Sequence, residues 1–172
     1  MSGYRRSRRG QTALESLFIF ALILTGVVLV VPAYLHENSS SFLAAAVRDA
    51  SAQAVGYLNL GVVNRGDERY SPLNEVITNC ADYRSLNVEF IGLGIVSETD
   101  TNVTVEVRFV RHPGEEGVDG LLAEAIGRFL QRYLEGVSGF KLVRENGTTH
   151  LYYRGRLVEF VVYVNGVRRV VW

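Results

Sequence analysis

The stretch Arg8-Arg9-Gly10-Gln11-Thr12-Ala13-Leu14-Glu15-Ser16-Leu17-Phe18-Ile19-Phe20-Ala21-Leu22-Ile23-Leu24-Thr25-Gly26-Val27-Val28-Leu29-Val30-Val31-Pro32-Ala33-Tyr34-Leu35 decides how this chain is read. From Leu17 to Leu35 only Thr25, Gly26, Pro32 and Tyr34 interrupt an apolar run. Coiled as a helix, that run rises about 28 Å, close to the hydrocarbon thickness of a bilayer. Before it, Arg5, Arg6, Arg8 and Arg9 crowd into ten residues that hold no acid, and no further Lys or Arg occurs until Arg48. The positive-inside rule therefore predicts a cytoplasmic Met1–Gly10 and an outward-facing chain beyond His36. Tyr34 suits the outer interface.

Three readings share this pattern. A secretory signal peptide has the same basic and apolar regions, and Val31-Pro32-Ala33 offers it a cleavage site. An uncut signal anchor uses the same run. Neither accounts for Glu15, which falls one turn inside the apolar helix. An unpaired acid there costs roughly 2.5–3.5 kcal/mol on insertion scales. Such an acid calls for a cationic partner, and cutting the chain nearby would create one.

At Arg8-Arg9-Gly10, Gln11 and Glu15 the sequence resembles the archaeal type IV pilin-like proteins with a class III signal peptide. That pattern is a basic leader ending in Gly, Gln at the first mature position, Glu at the fifth, and an apolar helix. Ala13 departs from the Ser that many relatives carry. Bacterial tight-adherence pseudopilins begin similarly, but follow the Glu with an aromatic residue and soon a proline; here Ser16 follows and the first proline is Pro32. The resemblance implies cleavage by a prepilin peptidase between Gly10 and Gln11, with the helix kept. It also implies that Glu15 pairs with the new α-amine of Gln11 on a neighbouring subunit. A buried charge left alone costs more than the intact pair is worth, so the pairing would check register. Pro32 marks either a kink near the outer boundary or the end of the helix before a linker.

Composition supports a folded head beyond the helix. The 172 residues are 48% hydrophobic and 21% charged, which excludes a disordered chain. Eighteen basic residues balance eighteen acidic ones, so no global basic field points to nucleic acid. Cys80 is the only cysteine, which excludes an intrachain disulfide and a cysteine-built zinc site. Three regions are expected: a basic leader at 1–10, a transmembrane and filament-core helix with an amphipathic continuation at 11–60, and an extracellular α+β head at 61–172.

Leu43, Val47, Ala50, Ala54 and Leu58 follow helical spacing. The helix either runs unbroken to this stripe or restarts near Asn38–Ser41 with a serine cap. Residues 65–86 read as loop. Val88–Val96 and the alternating Val103, Val105, Val107, Phe109 read as strands joined by a hairpin loop at Ser97–Asn102. Gly92 and Gly94 suggest a bulge or bend. A helix over 118–135 shows Val118, Leu122, Ala125, Phe129 and Tyr133 on one face, with Glu124 and Arg128 as an i,i+4 pair. Phe140–Glu145, Thr149–Tyr153, Leu157–Val164 and Val167–Trp172 read as consecutive hairpins. Asn146-Gly147 and Asn165-Gly166 are strong type I′ turn signals, and Arg154-Gly155 a weaker one. Both faces of Leu157–Val164 are fairly apolar, which predicts a sheet covered on both sides by helices or neighbouring subunits. The expected fold class is α+β: a long apolar helix, then about six mainly antiparallel strands with one packed helix.

Chemistry is sparse. His36, His112 and His150 are dispersed and read as solvent-facing. Glu98/Asp100 and Glu115/Glu116/Asp119 lack the periodicity of a calcium loop and read as solvated turn acids. No cofactor, metal or catalytic constellation is expected. Asn38-Ser39-Ser40, Asn102-Val103-Thr104 and Asn146-Gly147-Thr148 are glycosylation triplets on outward segments, and the resemblance makes glycan decoration expected. The implied protein is a noncatalytic pilus subunit, major or minor. It would start as a single-pass membrane prepilin with its head outside and end in an extracellular filament, with the head surface serving adhesion. Its partners would be sister subunits, the prepilin peptidase, and an assembly ATPase with its membrane platform. The alternative is a membrane-tethered or secreted noncatalytic domain that binds polysaccharide or peptide outside any filament.

Overall fold

A computed structural model describes the chain except at residues 1–4, 81–84, 114, 115, 146 and 172, and gives the backbone alone at 5–13, 32–38 and 116. It has three α-helices, α1 (Arg5–Leu60), α2 (Ser71–Asn79) and α3 (Glu116–Glu135), with a 3-10 turn at Glu68–Tyr70. Six strands accompany them: β1 (Val88–Glu98), β2 (Asn102–Arg111), β3 (Phe140–Glu145), β4 (Thr148–Tyr153), β5 (Arg156–Val164) and β6 (Val167–Val171). The chain divides into two compact units, Met1–Phe42 and Leu43–Trp172. The fold is α+β with an N-terminal apolar helix and a mixed sheet.

The backbone of α1 stays helical through Pro32 and through Asn38–Ser41, so the helix neither ends at the proline nor restarts at the serines. In the second unit its stripe Leu43, Val47, Ala50, Ala54 and Leu58 is fully buried, as the spacing predicts.

The expected loop at 65–86 is corrected by α2. Pro72 sits in its first turn, where a missing N–H costs nothing, and Leu73, Val76 and Ile77 turn inward at helical spacing. The head's helical layer is therefore α3, α2 and the end of α1, not one helix. Stacked rings knit it together. Tyr57 on α1 lies 4.3 Å from Tyr70, which lies 5.2 Å from Phe129 on α3. Asn59 near the end of α1 clasps the first residue of β1, donating to the Val88 carbonyl and accepting from its N–H, both at 2.8 Å.

The strands form one sheet in the order β1-β2-β5-β4-β3, with β6 also on β5. Four pairings are antiparallel; β2 and β5 run parallel along Asn102–Phe109. The free side of β5 is shared. β4 takes only Arg156–Val158, and β6 takes Phe160–Val164, so the sheet forks there. Two-residue turns enforce this: Arg154 and Gly155, then Asn165 and Gly166, all have positive φ as type I′ requires. Gly147 shares that conformation, and Asn146 lies outside the described residues.

One sheet face carries the core: Val103, Val105, Val107 and Phe109 of β2 and Val158, Phe160, Val162 and Val164 of β5 pack with α1, α2 and α3. On the other face Thr104, Glu106, Leu157, Glu159 and Tyr163 are half-buried and only Val161 is buried. Among the described residues no helix covers that face. Cross-strand neighbours, with Glu106 on one side of Val161 and Val170 on the other, take the place of the expected second layer.

Candidate functional site

Thirteen large apolar side chains between Leu14 and Val31 are exposed, from 45% at Val31 to 72% at Leu14. The window Leu14–Val31 has a mean hydropathy of 2.6 and none of it is buried. Covering such side chains is worth about 1.5–3 kcal/mol each, so leaving them in water forgoes on the order of 20 kcal/mol. That exceeds the net stability of a typical domain, about 5–15 kcal/mol. The surface needs a cover: lipid, or other helices. The helix is fit for either, because its backbone bonds are internal and the Thr25 hydroxyl donates to the Ala21 carbonyl at 2.8 Å. A single N-terminal apolar helix of this length is compatible with a membrane anchor or a signal sequence.

The residues singled out from sequence fall along this helix and at two turns. Arg8, Arg9, Gly10 and Gln11 are on the α1 backbone, as are Pro32 and Asn38, and only the backbone of these six is described. Glu15 is exposed at the head of the span. Asn102 opens β2 and is exposed; its N–H donates to Thr99 Oγ1 at 3.0 Å, and its carbonyl accepts from the Thr99 N–H at 2.8 Å. Within its triplet Val103 is buried, and the Thr104 hydroxyl reaches Glu159 at 3.4 Å.

Two expectations on polar side chains need correction. Asp119 is not a solvated turn acid: it is 2% exposed on α3. Its carboxylate accepts from Arg111 Nε at 2.7 Å and from Asn165 Nδ2 at 2.9 Å, while Arg111 Nη2 is buried with no partner. His150 is half-buried rather than solvent-facing, and its Nδ1 is buried without a partner; His112 is exposed. Glu98 pairs with Arg156. Among the described residues no three His, Cys, Asp or Glu side chains gather closely enough to hold a metal.

The head also has a cleft that the sequence did not announce. About 890 Å³ lies between Gly147 with the start of β4 (Thr148, Thr149), β6 (Arg169, Val170, Val171) and α3. Its charges are Arg69, Arg128, Arg132 and Arg169 against Glu68, Glu124 and Glu135. Most are already engaged. Arg128 pairs with Glu124 at 2.5 Å, the pair that the i,i+4 spacing predicts, and Arg132 donates to the Glu68 carbonyl at 2.9 Å. The Arg69 guanidinium holds the Asp67 carboxyl below the usual carboxylate range. Burial pushes the Tyr133 phenol up, helped by its hydrogen bond to Asp49 at 2.9 Å. The cleft exists because the sheet forks, which no local pattern encodes.

No family model matches this chain, no curated protein matches it, and no solved structure matches it.

Proposed function

We propose that this chain is a noncatalytic subunit of an archaeal type IV pilus-like filament. It is made as a prepilin and cut by a prepilin peptidase between Gly10 and Gln11. The observation that carries the reading is the bare apolar window of α1, in a helix whose later residues enter the core of a folded head. A helix of that kind loses nothing by exchanging lipid for sister helices, since both cover the same surface. In this reading the prepilin sits in the cytoplasmic membrane with its head outside. An assembly ATPase and its membrane platform then draw subunits from lipid into the growing filament.

Cleavage places the Gln11 ammonium about 6 Å along the axis from Glu15. Within one helix the two are separated by a turn, and a second subunit entering at the right height sets its amine against the carboxylate. A misplaced subunit leaves Glu15 in an apolar surround with its charge uncompensated. At least one of Asn38, Asn102 and Asn146 would carry a glycan on the outward segments.

Glu15→Gln tests the reading in cells. It keeps the side chain's shape and removes its charge. The chain is expected to be cut and held in the membrane as before, while filaments containing it fall below detection. Undiminished filament yield would overturn the proposed pairing.

A further inference from the structure

Two edges of the sheet, β1 and β6, each carry charge of one sign, whereas the third, β3, mixes Lys141 and Arg144 with Glu145. β1 holds Glu89 and Glu98 and no basic residue. Glu98 is engaged by Arg156, so the exposed Glu89 is the acid that β1 has to offer. β6 holds Arg168 and Arg169, both exposed, and no acid. β1 also exposes two aliphatic side chains, Ile91 at 58% and Val96 at 61%. These are the residues left over at its two register shifts against β2, between Phe90 and Gly92 and between Ile95 and Ser97.

On β6 the register decides which backbone groups are open. Val164 and Val167 flank a two-residue turn and exchange both hydrogen bonds, as do Val162 with Arg169 and Phe160 with Val171. The backbone groups of Arg168 and Val170 therefore point away from β5. The Arg168 carbonyl accepts from the guanidinium of Arg169 at 3.0 Å. Val170 remains as the position offering both donor and acceptor, and it borders the cleft.

We propose that β1 of one copy docks along β6 of the next, joining heads edge to edge and head to tail. Charges and bulges on an edge strand ordinarily oppose pairing with another chain. Here they oppose only the like pairings. β1 against β1 sets acid beside acid, and β6 against β6 sets arginine beside arginine. Unlike edges bring Glu89 to Arg168 and Arg169, with Ile91 or Val96 beside Val170. One contact thus carries both an attractive and a repulsive element of specificity. Because the two surfaces differ, the contact is heterologous and extends into an open array rather than closing as a dimer.

The inference rests on the filament reading but has its own test. In full-length chains carrying Cys80→Ser, Val170→Cys is combined with Ile91→Cys or with Val96→Cys, and surface material is oxidised. A disulfide forms only where Cα atoms approach within about 4.4–6.8 Å. One of the double variants is expected to give a reducible ladder of dimers, trimers and higher species, while every single-cysteine variant stays monomeric. Arg168→Glu with Arg169→Glu should cut the ladder by on the order of tenfold, and adding Glu89→Arg should restore it. No ladder from either double variant, or equal cross-linking of the single variants, overturns the edge pairing. If processed filaments form without a ladder, only this inference fails. If the ladder forms in chains that still carry Met1–Gly10 and never enter filaments, the filament reading fails instead.

Discussion

Asp119 takes hydrogen bonds from Arg111 and Asn165, with its carboxylate almost entirely out of water. Arg111 ends β2, Asp119 lies in the first turns of α3, and Asn165 makes the turn between β5 and β6. Three elements therefore meet on one charge. The Asn165 side chain also accepts from the Arg111 N–H and donates to its carbonyl, both at 3.0 Å. Removing one member of a buried ion pair strands the other, at a cost of about 3–5 kcal/mol. Asp119→Ala is accordingly expected to lower the stability of the full chain in detergent by that amount, read by denaturant unfolding. A loss below about 1 kcal/mol would place the pair in water instead. Half of this cluster was legible. Asn165-Gly166 announces its turn through local chemistry alone, because both residues tolerate positive φ. The burial of Asp119 was not legible, since in sequence it stands beside Glu115 and Glu116 in an acidic stretch. Only the packing of α3 over the β5–β6 turn removes it from water.

At the scale of elements, α3 lies very close to the sheet. A Cβ added at Gly127 would stand 2.4 Å from Val171 Cγ2, and one at Gly120 would stand 2.7 Å from the Arg169 guanidinium. Helix propensity favours Ala over Gly by about 1 kcal/mol, whereas overpacking a filled interface costs about 1–3 kcal/mol. The two effects oppose each other, and at 2.4 Å the clash wins. Gly127→Ala should therefore destabilise by about 1–2 kcal/mol in a denaturant melt, and pairing it with Val171→Ala should recover much of the loss. The same exchange at Gly56, with nothing within 4 Å, should stabilise by up to about 1 kcal/mol. A stabilising Gly127→Ala would contradict this approach of α3 to β6. The strands, α3 and the inward stripe of α1 were readable because each has a strong period of its own. α2 was missed although Pro72, Leu73, Val76 and Ile77 carry its signal. Nine residues give barely two turns, and Gly66 and Asp67 before it, with Ser71 and Asn74 within it, read as loop. The fork at β5 had no local signal at all, because it depends on which of two hairpin partners claims each half of one strand.

For the whole molecule, the decisive division lies between an apolar window with nothing over it and a head with a core of its own. Composition alone announced both parts: an uninterrupted run free of charge from Ser16 to His36, then alternating and helical patterns that close into a packed domain. In the proposed account, what covers the window is a matter of processing at the Gly10–Gln11 peptide bond. Mass analysis of the N-terminus of mature protein from cells addresses it directly. The account predicts a chain that begins at Gln11 and retains residues 14–31. A chain beginning at Tyr34 would contradict it, because a subunit cut there has lost the helix on which assembly depends.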